Sequence, residues 1–379
     1  MIATVVFSRS SVTASPANRA LGRDALGDIA GLVRSEIASA HVPGAVVLIG
    51  QGRDVIYRGA FGVRAAAPAV APMTVDTVFD LASLTKVVAT TTAVMQLAER
   101  GRLDLDAPAS KYWPAFGSAG KRDITIRDLL THYSGLRADL DLSRPWFGYT
   151  TAMTLLARER PLRAPRAAYI YSDENFEVLG ELVRRVSGVH LDRYCDDHIF
   201  RPLGMADTGF RLLPAQVGRV APTSAARSNG HDGVVVNDPT AQRMGRVSGH
   251  AGLFSTADDL ARFATMLLDN GDARRVRVLD ARSIALMTHA ASPSGGPHAR
   301  GLGWDLAPPF VQPPEGDRLT PSYGHTGFTG TMLWIDPASR IYVVVLTNRT
   351  YPDGRGDAQP LRKAILDRVS ESLSRMGGF

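Results

Sequence analysis

Ser83 and Lys86 stand three positions apart in the stretch Ser-Leu-Thr-Lys. On a helix this spacing places both side chains on one face, with the lysine amine within reach of the serine hydroxyl. The N-terminus of a helix also offers unpaired N–H groups and a positive potential, which favour an oxyanion beside Ser83 and disfavour a protonated Lys86. These residues therefore predict nucleophilic attack by Ser83 on an ester or amide, assisted by Lys86.

The same Ser-x-x-Lys spacing occurs again at Ser118 and Lys121. That copy lies in a polar, glycine-containing loop without a helix to align the pair, so we assign it to the solvated surface. A serine ahead of a helix can also be a plain N-cap. Lys86 carries more weight because only four of the 43 basic residues are lysines, and a lysine can lose its proton in a protein where an arginine cannot.

Two further motifs follow in the chain: Tyr-Ser-Asp at residues 171–173, and His-Thr-Gly at residues 325–327. A serine–lysine tetrad, then Tyr-x-Asn or a variant, then Lys-Thr-Gly or His-Thr-Gly, resembles the serine β-lactamase and penicillin-binding-protein superfamily. The resemblance is to its class C-like branch, which also holds D-amino-acid peptidases, carboxylesterases and acyltransferases. Residues 129–136 and 248–260 are similar to further segments of that family, and the resemblance covers about residues 25–370.

The resemblance implies a role for each motif residue. Ser83 is expected to be acylated, and its own N–H would form half of the oxyanion hole, with the Phe328 N–H as the other half. Lys86 would assist removal of the serine proton; a structural salt bridge is the alternative, disfavoured because burying an ammonium is costly. Tyr171 would relay the proton to the leaving group and later activate water. Tyr169 lacks the Tyr-Ser-Asp context and is expected in the core.

Two motif positions depart from the residues common in the family. Asp173 stands where Asn is common, and a carboxylate there would hold Lys86 protonated and shift the base role toward a tyrosinate at Tyr171. His325 replaces the lysine of the Lys-Thr-Gly form. A neutral imidazole would still hydrogen-bond a tyrosine oxygen, but it recognises a substrate carboxylate less well than an ammonium does. We therefore expect an acyl substrate with less negative charge than a β-lactam.

The remaining candidate residues support the site. Thr326 and Gly327 would let the strand edge lie against bound substrate, because glycine suits close backbone approach. The side chain of Phe328 would form part of the wall. His250 is expected to act from behind the pocket or structurally, and His132 to form hydrogen bonds at a helix end.

The elements that must position these residues alternate between helix and strand. Strand-like runs are predicted at residues 45–49, 55–61, 330–335 and 341–347. Helical periodicity and capping predict helices at residues 26–37, 84–99, 125–132, 175–187, 260–268 and 360–373. The helix after Ser83 is apolar on nearly all faces, which predicts burial in a large core.

Their order predicts a discontinuous α/β (α+β) fold, which the resemblance identifies as β-lactamase/transpeptidase-like. Residues 21–101 and 241–379 would share one antiparallel sheet flanked by helices. Residues 102–240 would form a mostly helical second lobe, and residues 1–20 a loose arm. Active sites commonly lie in the cleft between two such lobes.

The composition excludes several other classes of function. The 379 residues are 45% hydrophobic and 21% charged with a net charge of +6, but no basic run or aromatic-interleaved basic stripe indicates nucleic-acid binding. No apolar stretch is long enough for a membrane span. The apolar run at residues 2–7 is too short for a signal peptide. We expect a cytoplasmic location, or a periplasmic or secreted one if a signal peptide has been removed.

Several functional readings stay open at this point. A small-molecule ester or amide is the expected partner of a carboxylesterase, of a D-amino-acid peptidase or weak β-lactamase, or of an acyltransferase using the same acyl-enzyme. A non-catalytic scaffold on the same fold is disfavoured because Ser83, Lys86, Tyr171 and His325 are all retained. No G-x-S-x-G elbow, P-loop or H-E-x-x-H motif is present, so neither a cofactor nor a metal is expected. The sequence does not determine the oligomeric state.

Overall fold

The computed structural model describes residues 21, 26–224, 234–273, 276–293, 299–307 and 321–377. The predicted arm over residues 1–20 lies outside these described residues. The strands, in chain order, are β1 (Gly44–Gln51), β2 (Asp54–Ala65), β3 (Ala71–Pro72), β4 (Phe79–Asp80), β5 (Phe254–Ser255), β6 (Asp272–Ala273), β7 (Val276–Arg277), β8 (Asp305–Ala307), β9 (Ser322–Thr326), β10 (Met332–Asp336) and β11 (Ile341–Thr347).

One antiparallel sheet of seven strands has the order β3-β2-β1-β11-β10-β9-β8. β1 from the start of the chain pairs with β11 from its end, with Ala45 opposite Thr347 and Gln51 opposite Ile341. Both strands are buried along nearly their whole length, as their continuous apolar runs predict. The predicted hairpin and the predicted antiparallel sheet flanked by helices are confirmed, whereas the domain boundaries at residues 101 and 241 stay a prediction.

Helices account for most of the regular structure outside the sheet. They are α1 (Ile29–Ala38), α2 (Thr92–Glu99), α3 (Ile126–Leu130), α4 (Tyr149–Arg158), α5 (Asp173–Ser187), α6 (Leu191–Cys195), α7 (Arg201–Leu203), α8 (Pro214–Val217), α9 (Pro239–Arg243), α10 (Ala257–Leu268), α11 (Ala281–Thr288) and α12 (Gln359–Gly377). Within the described part of the chain, no helix combines the length and apolarity needed to cross a membrane.

Each face of the central sheet has its own layer of helices. Successive side chains of a strand point to opposite faces, so Val46 and Val47 of β1 enter different cores. Val47 packs with Val33 of α1 and Ile365 of α12. Val46 belongs to the larger core, which includes Leu260 of α10 and the buried helix that follows Ser83. The larger core therefore holds the element that carries the predicted nucleophile.

The helix after Ser83 is the buried element predicted for residues 84–99. Its first part, Lys86–Thr91, is π-helical, and α2 continues it to Glu99. All side chains from residue 86 to residue 97 are buried. Two threonines of this run are bonded inside the core: the Thr90 hydroxyl donates to the Gly249 carbonyl at 2.6 Å, and the Thr92 hydroxyl to the Val87 carbonyl at 2.9 Å. π-helical turns of this kind occur frequently at functional sites.

The prediction that the second Ser-x-x-Lys copy lies on the solvated surface was wrong for Lys121, whereas Ser118 is exposed. Lys121 is fully buried, and its Nζ donates to the Ala157 carbonyl at 3.1 Å and to the Glu159 carbonyl. Ser118 Oγ also donates to the Ala157 carbonyl, at 2.7 Å. These carbonyls lie at the C-terminal end of α4, where backbone acceptors need outside donors. The pair therefore caps a helix.

A buried carboxyl group lies close to this cap. Glu174, in the first turn of α5, is fully buried, and its carboxyl oxygens form no hydrogen bond within the described residues. Burial and the negative charge of Glu159 raise the pKa of Glu174 from 4.5 to about 8. Because the folded-state pKa lies above the unfolded one, this group's contribution to stability is complete below about pH 4.5 and is lost as pH rises through about 8.

We expect Glu174→Gln to flatten this pH dependence, because glutamine keeps the shape and cannot ionise. The free energy of unfolding of the variant should exceed that of the wild type at pH 9 by on the order of 1–3 kcal/mol, and this difference should shrink toward pH 5. Urea unfolding at pH 5, 7 and 9 measures it, with the exposed Glu371→Gln as control. Parallel pH profiles for wild type and Glu174→Gln would contradict the prediction.

Candidate active site

Ser83 lies on the turn between β4 and the buried helix. Ala82, immediately before it, has a left-handed backbone conformation with φ of 47°, which is strained for a residue with a side chain. Lys86 Nζ lies 2.9 Å from Ser83 Oγ and 3.3 Å from the carbonyl oxygen of His250. The Lys86 side chain is fully buried, while Ser83 is half-buried. The predicted contact between Ser83 and Lys86 is therefore present.

Asp173 supplies the charge opposite Lys86. Asp173 begins α5, and its Oδ1 lies 2.6 Å from Lys86 Nζ. Burial alone would lower the pKa of Lys86, but Asp173 and Tyr171 outweigh that effect and raise the pKa above its ordinary value. The ion pair and the direction of the pKa shift agree with the prediction that Asp173 holds Lys86 protonated. The argument that a buried salt bridge here would be too costly was wrong, because Asp173 compensates the ammonium. The expectation that the helix terminus disfavours a protonated Lys86 stays a prediction.

Tyr171 is the tyrosine that the fold brings to this ion pair. Lys86 Nζ lies 5.0 Å from the centre of the Tyr171 ring, and about a third of Tyr171 is exposed. The Tyr171 ring also stacks on His132, with ring centres 4.4 Å apart. Tyr169 instead packs against Tyr133 and contacts Arg300. The structure thus brings together Ser83, Lys86, Tyr171 and Asp173 and leaves Tyr169 outside the group.

His132 and His325 are both uncharged. Burial lowers the pKa of His132 well below its ordinary value, and its Nδ1 accepts the Ser172 N–H at 3.0 Å, in keeping with the predicted hydrogen-bonding role at a helix end. Burial, Arg300 and Lys86 lower the pKa of His325 to about 4, against the opposing charge of Asp305.

The predicted hydrogen bond from His325 to a tyrosine oxygen is not formed, so that expectation was wrong. The His325 and Tyr171 ring centres are 6.2 Å apart. His325 Nδ1 donates instead to the carbonyl of the following residue, Thr326, at 2.8 Å. Its Nε2 is buried and has no hydrogen-bond partner in the part of the chain that the structure describes.

The turn after β9 is fixed against the residues that precede Ser83. A Cβ on Gly327 would lie 2.4 Å from the Leu81 carbonyl oxygen, so only glycine permits this approach. Thr331 Oγ1 donates to the same carbonyl at 2.9 Å, and Thr329 Oγ1 donates to the Asp80 carbonyl at 2.7 Å. The two hydroxyls hold the turn in register with the nucleophile. Sequence analysis missed both threonines, because their partners are about 250 positions away.

Two backbone N–H groups at this junction are available to a ligand. The N–H groups of Ser83 and Phe328 donate to no hydrogen bond found among the described residues. The Phe328 side chain is 65% exposed, as expected for a wall residue. The free N–H groups of Ser83 and Phe328 match the oxyanion hole that the sequence motifs imply.

A second ion pair lies behind the first. His250 Nε2 lies 2.9 Å from Asp238, and its Nδ1 lies 2.8 Å from Ser248 Oγ. Burial would lower the pKa of His250, but Asp238 and Asp173 raise it to about 10, while His250 lowers the pKa of Asp238 to about 2 despite burial. The supporting role predicted for the buried His250 is confirmed. Asp238 was missed, because its only local signal is that of an N-cap before Pro239.

The same groups have the spacing of a metal site. Ligand atoms of Asp173, Asp238 and His250 lie within 4.8 Å of one another. Two cations already balance the two carboxylates, since Lys86 pairs with Asp173 and the protonated His250 pairs with Asp238. A dication would have to displace a proton from His250 and repel Lys86. The cluster is therefore a charge-balanced network, and we assign it no metal.

Comparisons with known proteins agree with this geometry. A family model described as Beta-lactamase matches residues 29–367. A protein of Escherichia coli O157:H7, provisionally named a D-alanyl-D-alanine carboxypeptidase, is 32% identical over 355 residues, which cover 84% of this chain and 81% of that protein. EstCE1, described as a hydrolase with promiscuous acyltransferase activity, is 25% identical with a TM-score of 0.73, over 92% of this chain and 99% of its own. A penicillin-binding protein homologue from Caulobacter crescentus has a TM-score of 0.74 at 21% identity, over 93% and 99% of the two chains.

The charge on Lys86 gives a testable pH dependence. Asp173→Asn removes the carboxylate that raises the pKa of Lys86, so burial should then lower that pKa. We expect the alkaline limb of Ser83 reactivity to move to lower pH by about one unit or more. The rate of labelling by a fluorophosphonate, followed from pH 5 to pH 11, measures the shift, with the exposed Asp141→Asn as control. Superimposable profiles for Asp173→Asn and wild type would disprove the dependence.

Proposed function

Because the chain belongs to the beta-lactamase family, whose model matches residues 29–367, we propose that this serine hydrolase is a carboxylesterase or related acyl hydrolase of the class C-like branch. The contact that carries the proposal is that of the Lys86 ammonium with both Ser83 Oγ and Asp173. A serine held by a fixed cation and lying beside a tyrosine has the parts of an activated nucleophile. A small-molecule ester is the preferred substrate class, and an amide the second.

Tyr171 acts as the base in the proposed acylation. As a tyrosinate it takes the Ser83 proton while Ser83 Oγ attacks the carbonyl carbon, and the Lys86 ammonium stabilises the negative charge on both oxygens. The carbonyl oxygen, now negative, is bound by the N–H groups of Ser83 and Phe328. The leaving group departs with the proton from Tyr171, and the acyl group stays on Ser83.

The second half of the cycle reverses these proton transfers. Tyr171 takes a proton from water, and the hydroxide formed attacks the acyl carbon on Ser83. The ester bond to Ser83 breaks, and the serine oxygen recovers the proton from Tyr171. The acid product leaves, and the ion pair between Lys86 and Asp173 has kept its charge throughout. No external reductant or oxidant is needed.

The charge state of the pocket favours a neutral ester over an anionic substrate. His325, which stands in the position of a lysine, has a pKa of about 4 and is neutral at pH 7. Arg300 is 1% exposed, and its guanidinium is bound to Asp305 and to the Gly303 carbonyl. Neither residue therefore presents a free positive charge to a substrate carboxylate.

The names of two similar proteins support two alternative reactions of the same acyl-enzyme. The E. coli relative's provisional name supports a D-amino-acid peptidase, in which the leaving group is an amine. EstCE1 is described as a hydrolase with promiscuous acyltransferase activity, and in a transferase an alcohol or amine would replace water in the second half of the cycle.

A parallel substrate screen tests the proposal. We expect turnover of short-chain nitrophenyl esters to exceed turnover of a chromogenic cephalosporin and of D-amino-acid amides. Ser83→Ala should lower kcat/KM for the ester by about 1000-fold or more. Preferential turnover of the D-amino-acid amide would instead support the peptidase. A folded wild type that neither turns over any substrate nor is labelled at Ser83 would support a scaffold.

The two tyrosines provide a matched pair of variants. Tyr171→Phe keeps the stacking on His132 and removes the hydroxyl, so kcat should fall by about 100- to 10,000-fold. Tyr169→Phe removes a hydroxyl that contacts Arg300 outside the group, so its kcat should stay close to wild type. Steady-state kinetics with a nitrophenyl ester measures both, and equal losses in the two variants would exclude Tyr171 as the base.

A further inference from the structure

Within the described residues, the peptide group between Gly327 and Phe328 is hydrogen-bonded only through its carbonyl oxygen. Its N–H belongs to Phe328 and is the second donor of the proposed oxyanion hole. Its carbonyl oxygen, on Gly327, accepts the Gly330 N–H at 3.0 Å and the Nη2 of Arg362 at 2.6 Å. A cation therefore contacts the carbonyl end of the peptide whose amide end would receive the negative charge of the reaction.

Arg362 lies on α12, 35 positions after Gly327 in the sequence and outside all three sequence motifs. Its Nη2 also donates to the Thr331 carbonyl at 2.9 Å, so it joins both sides of the turn that follows β9. Burial and the neighbouring charge of Arg349 lower the pKa of Arg362 to about 10, which leaves it charged at neutral pH. Its hydrogen bonds within the described residues go to two backbone carbonyls and to no carboxylate.

A half-buried cation bonded to carbonyls alone is costly. The structure holds its guanidinium with two peptide carbonyls, and one of these two peptides carries the Phe328 N–H at its opposite end. Because the peptide group is conjugated, a charge-assisted hydrogen bond to its oxygen makes its N–H a stronger donor. Chains of hydrogen bonds polarise one another in the same sense.

We infer that Arg362 is a positioning residue for the oxyanion hole: it orients the Gly327–Phe328 peptide and strengthens the Phe328 N–H as a donor to the transition state. This inference rests on the proposed function, since it needs a reaction that places negative charge at Phe328. It assigns a catalytic contribution to the C-terminal helix, which none of the sequence motifs indicates.

Arg349 provides an internal comparison. Its Nε donates to the Phe328 carbonyl at 2.6 Å, which belongs to the next peptide, and its guanidinium lies 4.2 Å from the centre of the Phe328 ring. The N–H of that next peptide belongs to Thr329 and is not part of the proposed oxyanion hole. Two arginines therefore bind adjacent carbonyls of one turn, and only Arg362 polarises the peptide that carries the oxyanion donor.

The test separates transition-state stabilisation from substrate binding. For Arg362→Ala with a nitrophenyl ester, we expect kcat to fall by about 10- to 30-fold with KM within about twofold, since a whole oxyanion donor is worth about 100- to 1000-fold. Phenylboronic acid, which forms a tetrahedral adduct on a reactive serine, should bind more weakly by the same factor. Arg362→Lys should lose less, Arg349→Gln should lose at most a few-fold, and the exposed Lys363→Gln should match wild type.

Chemical rescue distinguishes this role from a purely structural one. Millimolar guanidinium chloride should restore part of the lost kcat of Arg362→Ala, while sodium chloride at the same concentration should not. A folded Arg362→Ala with wild-type kcat and boronate affinity would overturn the inference. A loss that tracks a lower melting temperature and that guanidinium does not restore would overturn it as well.

The proposed function can fail separately from this inference. If wild type turns over no ester, the proposed function is wrong. The rate of Ser83 labelling by a fluorophosphonate, which also places negative charge on an oxygen beside Ser83, then replaces kcat as the measurement. Equal labelling rates for wild type and Arg362→Ala would overturn the inference, and a slower rate in the variant would support it.

Discussion

The ion pair between Lys86 and Asp173 is the interaction on which the rest of the site depends. A lysine inside a core of this kind would cost several kcal/mol without a partner. Asp173, the first residue of α5, supplies that partner. Ser172 caps α5 by accepting the Asn175 N–H. His132 accepts the Ser172 N–H and so fixes the backbone immediately before α5. The Tyr-Ser-Asp motif is held in place on both sides before any substrate arrives.

The second ion pair extends this constraint deeper into the molecule. His250 pairs with Asp238, and its carbonyl also accepts from Lys86. The four charged groups alternate in sign, with Asp173 near both cations. In such a network each charge sets the protonation of its neighbours, so removing one member changes the others. Asp173 therefore raises the pKa of Lys86, and His250 with Asp238 extends the network of alternating charges behind it.

The oxyanion side of the site depends on the backbone rather than on this network. β9 ends beside the residues before Ser83, and Thr329 and Thr331 hydroxyls fasten the following turn to the carbonyls of Asp80 and Leu81. β1 from the start of the chain and β11 from its end pair in one sheet, and the two hydroxyl hydrogen bonds join chain segments about 250 positions apart. These backbone contacts position the N–H groups of Ser83 and Phe328, as the ion pairs position the charged side chains.

Local pattern was enough to predict the Ser83–Lys86 pair, the buried helix after it and the β1–β2 hairpin, because periodicity and spacing act over a few residues. It separated that pair from Ser118 and Lys121, which have no helix to align them, but it did not predict that Lys121 is buried or that this second pair caps a helix from a distant segment. Nor could it show that His325 donates to its own neighbour, or that Arg362 contacts the turn after β9. The sequence alone predicted which groups would carry the chemistry, and the tertiary structure decided their charges and partners, because burial and long-range contacts set both.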